Sequence, residues 1–136
     1  RQGLYMICTL SKHEAEKQGY TDSLMLDHEG YVAEATGANI FFKDKDGTLH
    51  TPIPDSFLDG ITRRTVIEIA NSMNIKVNER KIKPEELKNF VGCFLTGTAA
   101  EVTPVSQIDK FNYKVCNTII QLSESYQQTV RKKKAA

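Results

Sequence analysis

The sequence predicts an α+β domain built on one mixed β-sheet, and three observations lead to this fold class. Short apolar segments flank tight turns at residues 27–30 and 44–47, which is typical of β-hairpins. Residues 63–73 and 117–133 carry apolar side chains at helical spacing. Hairpins give antiparallel strand pairs, whereas helices between strands give crossovers. The two together favour a mixed sheet with flanking helices.

The predicted elements can be placed in order along the chain. Leu4, Ile7 and Cys8 recur at helical spacing, so we predict a first helix over residues 3–18, ended by Gly19. Two-residue alternation or short apolar runs predict strands at 23–26, 31–34, 39–43, 48–51, 75–80, 91–96 and 101–108. Further helices are predicted at residues 63–73, 83–87 and 117–133, the second of these with Pro84 in its first turn.

The composition is that of one globular domain. The chain has 136 residues and a formal net charge of +1, so it can form a hydrophobic core but has no general electrostatic basis for binding nucleic acid or membranes. The four cations at residues 131–134 are interpreted as a solvated helix end rather than a nucleic-acid arm. The three cysteines are widely spaced and no long apolar run occurs, which favours a cytoplasmic protein without a zinc site.

The segment from Leu58 to Arg64 has the pattern of an anion-binding loop. A loop ending in Gly60 leads into a strong helix, whose first backbone N–H groups and dipole attract negative charge. The hydroxyl of Thr62 adds a donor there. The residues alone leave a second interpretation open, in which this is an ordinary loop-to-helix junction capped by Thr62.

A second candidate loop lies between two predicted strands. Thr96, Gly97, Thr98, Ala99 and Ala100 form a segment of small residues that allows a ligand to approach the backbone closely. Thr98 could donate a hydrogen bond, although a tight connection chosen for packing would have the same composition.

Glu34 ends a predicted hairpin strand among small neighbours. By two-residue alternation it shares a face with Val32, which indicates an inward-pointing carboxylate. A carboxylate that faces solvent at the strand end is the alternative.

Three ordered segments together resemble the fold type IV aminotransferases. These are residues 30–41 around Glu34, residues 58–63, and residues 94–105. The third segment, which contains Thr-Ala-Ala-Glu-Val-Thr-Pro, is similar to the branched-chain amino acid aminotransferases. It differs from D-amino acid aminotransferases and aminodeoxychorismate lyases, which remain the alternatives within the class. The resemblance implies the pseudo-barrel and flanking helices of the C-terminal domain of these enzymes, with pyridoxal 5'-phosphate as cofactor.

The resemblance also implies roles for individual residues. Glu34 would accept the pyridine N–H, Leu58 would pack on the ring, and Tyr5 would hydrogen-bond the phenolic oxygen of the cofactor. The phosphate would be held by the segment containing Gly60, Ile61 and Thr62 and by the loop containing Gly97 and Thr98. Thr98, Ala99 and Ala100 would offer donors near the substrate carboxylate.

Two positions depart from the family pattern. Ala38 stands where the family commonly has Glu, so one hydrogen bond in the site is absent or supplied otherwise. Counting back from Tyr5 places the family's Schiff-base lysine one position before Arg1, and arginine cannot replace it because its guanidinium stays protonated. We therefore expect no catalytic residue within this chain, and an isolated chain that is inactive.

The same resemblance sets expectations for the complete protein. It would transfer the amino group of leucine, isoleucine or valine to 2-oxoglutarate. Residues 1–136 would be a single cofactor-binding domain, and an N-terminal domain outside this chain, with a partner subunit of a homodimer or higher homo-oligomer, would supply most of the substrate pocket. A truncated domain that acts only in binding or assembly is the non-enzymatic alternative.

Overall fold

The fold is a curled mixed sheet flanked by two helices. A computed structural model describes residues 4–10, 18–35, 38–53, 60–97 and 101–135. Its strands are β1 (Leu4–Leu10), β2 (Gln18–Leu26), β3 (Val32–Ala35), β4 (Asn39–Lys43), β5 (Leu49–Thr51), β6 (Val77–Glu79), β7 (Gly92–Gly97), β8 (Glu101–Ile108) and β9 (Phe111–Asn112). The helices are α1 (Ile61–Ser72), a 3₁₀ helix (Pro84–Asn89) and α2 (Asn117–Ala135).

The strand order is β3-β2-β1-β8-β7-β4-β5-β6, and β9 pairs with β8. The pairing of β5 with β6 is parallel and follows the crossover through α1, while the other described pairs are antiparallel. Both predicted hairpins are therefore confirmed, and so is the mixed sheet. The order brings β4 and β7 side by side, although about fifty residues separate them in sequence.

The two faces of the sheet bury different clusters, as β4 shows. Ile40 and Phe42 point into a core enclosed by the curled sheet, whereas Phe41 points towards the helices. Phe41 stacks on Phe94 of β7 with ring centroids 4.9 Å apart. We call the side of Phe41 and Phe94 the helix face, and the opposite side the inner face. A continuous apolar segment thus serves two cores, because successive side chains of a strand point to opposite faces.

The predicted helix at residues 3–18 is wrong where the structure describes it. Leu4–Leu10 is strand β1, paired with β2 on one side and β8 on the other. Ile7 and Thr9 are fully buried while Met6 is 56% exposed. Burial of residues two apart is the pattern of a strand, whereas a helix would bury residues three or four apart. The spacing of Leu4, Ile7 and Cys8 fits a helix, but pairing on both sides outweighs that local pattern. Residues 11–17 lie outside the described part of the chain.

The other helices occur close to their predicted places, with two differences. α1 begins at Ile61, two residues earlier than predicted, and the segment after Pro84 is a 3₁₀ helix of six residues. Within the described ranges, no helix is long and apolar enough to cross a membrane.

Candidate functional site

The start of α1 offers backbone donors to a ligand. Gly60 is the N-cap in extended conformation, and no side-chain cap hydrogen bond occurs in the described residues. The first N–H groups of a helix have no acceptor within it, so those of Ile61 and Thr62 are available to an anion. The helix dipole adds partial positive charge there. Thr62 is the second helical residue, so the prediction that it caps the helix is wrong, whereas the choice between an anion site and an ordinary loop-to-helix junction stays open at this point.

The Thr62 side chain is buried and contacts α2. It is 7% exposed, and its hydroxyl lies 3.2 Å from the hydroxyl of Tyr126. A hydroxyl can donate one hydrogen bond and accept two. If Tyr126 donates, the Thr62 proton can point towards an anion at the helix start.

Asn39 joins the two candidate anion loops. It lies directly opposite Thr96 in the pairing of β4 with β7, and both are buried on the helix face. Gly60 lies just above it, because a Cβ added at Gly60 would be only 3.0 Å from the Asn39 Oδ1 atom. Glycine is therefore favoured for this close approach. Residues 60–62 and 96–97, which are distant in sequence, thus converge on one point.

Glu34 lies on the same face as Asn39. Ala35 and Ala38 exchange both backbone hydrogen bonds, at 2.9 and 3.1 Å, so Glu34 and Asn39 are the next residues on either side of that bridge. Both alanines contact the inner core, which places Glu34 and Asn39 on the opposite side of the sheet. Glu34 is then two strand spacings from Thr96, roughly 10 Å.

The Glu34 carboxyl is half-buried. Desolvation by burial raises its pKa above the ordinary value. A partly desolvated carboxylate is stabilised strongly by a nearby cation or N–H donor. The predicted alternation with Val32 does not account for its position, since a register shift occurs between Met25 and Leu26 on the paired strand.

Tyr5 lies across the strands from Ala35, the neighbour of Glu34, and its side chain lies on the face of the sheet opposite that of Glu34. It is opposite Leu24, which is opposite Ala35, and these three side chains share the inner face. Tyr5 packs there against the inner core. The structure therefore does not bring Tyr5 and Glu34 onto one face, and the role of Tyr5 at the cofactor stays a prediction.

The remaining predicted residues fall at the edges of what is described. Gly97 ends β7 and pairs with Glu101 of β8, so residues 98–100 connect these two strands. Leu58, Thr98, Ala99 and Ala100 lie outside the described residues. Ala38 is partly buried against the inner core, so a larger Glu side chain at this position would displace apolar neighbours.

The sequence did not single out Asn39 or Tyr126, and it included Thr96 only as the first residue of the second candidate loop. Asn39 and Thr96 are polar residues inside apolar strands, a signal that was available in the sequence. Tyr126 had no such signal, because it occupies a regular apolar position of a helix and only the packing of α2 on α1 brings it to Thr62.

The described residues fit a ligand with an anionic end and a basic ring nitrogen. Donors at α1 suit the anion, and Glu34 on the same face suits a protonated nitrogen at the other end. Pyridoxal phosphate has both groups. The fit rests on two features. A Cβ atom at Gly60 would fill the space next to Asn39, and no described side chain caps the start of α1.

Comparison with known proteins gives a family for most of the chain. The family model described as amino-transferase class IV matches residues 2–108. A probable branched-chain-amino-acid aminotransferase of Rickettsia felis is 53% identical over 111 residues, which cover 82% of this chain and 38% of that protein. The corresponding protein of Aquifex aeolicus is 44% identical over 138 residues, which cover 96% of this chain and 43% of that protein. This chain thus spans less than half the length of these relatives.

Solved structures give the same result. A branched-chain aminotransferase from Thermoproteus uzoniensis with norvaline has a TM-score of 0.75 and 40% identity, covering 79% of this chain and 36% of that one. A "T.th." branched-chain amino acid aminotransferase with pyridoxamine 5'-phosphate has a TM-score of 0.75 and 39% identity, covering 80% of this chain and 36% of that one. The curled sheet with flanking helices is therefore the fold of the matching part of these enzymes.

Proposed function

Because the chain belongs to the class IV aminotransferase family, we propose that it is the cofactor-binding domain of a branched-chain amino acid aminotransferase. The complete protein would use pyridoxal 5'-phosphate to transfer the amino group of leucine, isoleucine or valine to 2-oxoglutarate. The observation that carries the proposal is the placement of Glu34, Asn39 and Thr96 on one face, with the start of α1 above Asn39.

The relatives support the cofactor and the substrate class. One solved relative is named as a branched-chain amino acid aminotransferase with pyridoxamine 5'-phosphate. Relatives from Rickettsia felis and Aquifex aeolicus are named as probable branched-chain-amino-acid aminotransferases. Within this chain, the phosphate would be held by the N–H groups of Ile61 and Thr62 and by the Thr62 hydroxyl.

The bound cofactor supplies an electron sink for cleavage of the substrate Cα–H bond. The Glu34 carboxylate would accept the hydrogen bond from the protonated ring nitrogen and keep that proton in place. Partial burial strengthens this interaction, because less water competes for the carboxylate. The donors of α1 would orient the ring by fixing its phosphate end.

The other parts of the site would come from beyond the described residues. Leu58 would pack on the ring, and Thr98, Ala99 and Ala100 would hold the substrate carboxylate. We further propose that a second domain and a second subunit complete the pocket for the branched side chain, and that the protein acts in the cytoplasm.

Replacing Glu34 with Gln in the complete protein tests the central role. Glutamine keeps the shape but loses the negative charge, so we expect turnover of L-leucine with 2-oxoglutarate to fall roughly 10- to 100-fold, the loss expected for one charged hydrogen bond. The absorbance of bound pyridoxal phosphate should remain, because the phosphate donors are untouched.

Glu29→Gln is the matched control, since Glu29 is exposed in the turn of the same hairpin. Turnover of Glu34→Gln equal to that of the control would remove Glu34 from its assigned role. Transamination of D-alanine without activity on L-leucine, L-isoleucine or L-valine would overturn the branched-chain assignment in favour of a sister enzyme.

A further inference from the structure

Among the described residues, one buried hydroxyl at the candidate site has no hydrogen-bond partner. The Thr96 side chain is 0% exposed, and within the part of the chain that the structure describes its Oγ1 atom is bonded to nothing. An unsatisfied buried hydroxyl costs free energy, so such a group calls for an explanation.

The surroundings of Thr96 show where this hydroxyl lies. On the helix face its neighbours across the sheet are Asn39 on β4 and Val102 on β8. Val102 is apolar, so its side chain offers no partner. Asn39 lies within contact distance of Gly60, so the Asn39 side chain lies between Thr96 and the start of α1.

Two independent observations therefore meet at this point. One is a helix start whose first N–H groups have no acceptor within the helix, and the other is a fully buried hydroxyl beside it that no described residue satisfies. Both groups can donate hydrogen bonds, and an acceptor at this position would satisfy both. A phosphate has several acceptor oxygens and carries the charge that the helix dipole favours.

We propose that Thr96 is a phosphate-binding residue, whose hydroxyl donates to the same phosphate that the start of α1 holds. This inference rests on the proposed cofactor site and extends it to a residue of β7. Before phosphate binds, the unsatisfied hydroxyl lowers the stability of the fold. Once phosphate binds, the hydroxyl donates a charge-assisted hydrogen bond to it.

The experiment compares Thr96→Val with Thr51→Val in the complete protein without cofactor. Both threonines are fully buried on strands, but Thr51 donates to the Ile40 carbonyl at 2.7 Å and is thus a satisfied control. Thr96→Val removes an unsatisfied hydroxyl at nearly constant volume, so we expect its Tm without ligand to equal or exceed that of the wild type. Thr51→Val should lower the Tm, because it leaves a buried carbonyl without this donor.

The binding arm uses inorganic phosphate, pyridoxal phosphate and pyridoxal, each followed by calorimetry. Loss of one hydrogen bond to a charged group should weaken both phosphate ligands about 10- to 100-fold in Thr96→Val. Pyridoxal lacks the phosphate, so its affinity should change less than about twofold by the same argument. Thr96→Ser retains the hydroxyl and should keep most of the phosphate affinity.

Each other result overturns the assignment in an identifiable way. A lowered Tm for Thr96→Val, matching that of Thr51→Val, would mean that the hydroxyl has a structural partner. Equal losses for pyridoxal and pyridoxal phosphate would mean a general disturbance of the site. Wild-type protein that binds pyridoxal as tightly as pyridoxal phosphate would defeat the phosphate site itself, whereas unchanged phosphate affinity in Thr96→Val alone would defeat only the role of Thr96.

Discussion

The guanidinium of Arg63 holds the start of α1 against the edge of the sheet. Its side chain is 2% exposed, although it lies only three residues beyond Gly60. The Nη2 atom donates to the Pro52 carbonyl at 3.2 Å and to Glu79 Oε1 at 2.6 Å. These acceptors follow β5 and end β6, the parallel pair that α1 connects. Arg63→Met keeps an unbranched apolar stem and removes these hydrogen bonds.

The magnitude follows from the two acceptors. A hydrogen bond from a charged donor to a buried carbonyl contributes about 1.5–3 kcal/mol. The bond to Glu79 adds less than about 1 kcal/mol, because the Glu79 side chain is 46% exposed and water screens the pair. The packing of methionine offsets a part of the loss. We therefore expect Arg63→Met to lower the free energy of local opening of α1 by about 2–3 kcal/mol.

Amide hydrogen exchange of peptides from residues 61–72 in the complete protein measures this opening. A loss of about 2–3 kcal/mol corresponds to exchange that is about 30- to 150-fold faster. Arg64→Met is the matched control: the neighbouring Arg64 is exposed, so water screens its interactions and the substitution should change exchange less than about threefold. Exchange in Arg63→Met no faster than in the control would refute the view that Arg63 anchors α1.

Two further predictions concern other contacts of the chain. Tyr126→Phe should weaken pyridoxal phosphate binding about 2- to 10-fold and leave pyridoxal binding unchanged, because only the orientation of the Thr62 hydroxyl is lost; an equal loss for both ligands in calorimetry would contradict this. The hydrogen bond from Arg80 is the main cause of a lowered pKa at Glu86. A lowered folded-state pKa stabilises the protein above the unfolded value of 4.5, and this contribution disappears as the pH falls through the folded-state pKa. Glu86→Gln should therefore lower the free energy of unfolding in urea at pH 7 by up to about 1 kcal/mol and have little effect near pH 2, whereas Glu85→Gln, at the neighbouring exposed residue, should have little effect at either pH.

Local signals predicted those parts of the fold that local physics controls. The hairpin turns at Gly30 and Gly47 have φ values of +90° and +92°, which glycine adopts easily, so the sequence located both turns correctly. The amphipathic pattern of Val66 and Ala70 located α1, because one helix needs only one buried stripe.

The first segment was mispredicted for a non-local reason. Leu4–Leu10 contains apolar residues at spacings that suit either a helix or a strand. Its partners β2 and β8 decide between the two, and Gln107 of β8, opposite Cys8, is about a hundred residues away in sequence. Local propensity cannot contain that information.

For the candidate site, the sequence by itself determined which residue types were available. It identified Glu34, the small residues around Gly97, and a helix that starts where a loop ending in Gly60 leads into it. Their order along the chain was enough for the family resemblance, because backbone close approach and helix-start donors depend on a few adjacent residues.

Only the tertiary structure decided which groups meet. Pairing of β4 with β7 sets Thr96 beside Asn39, packing of α1 brings Gly60 over them, and α2 delivers Tyr126 to Thr62. It also places Tyr5 on the face opposite Glu34, while the predicted role of Tyr5 at the cofactor stays a prediction. The physical reason is that the face a strand residue occupies depends on register, and register is set by partners distant in sequence.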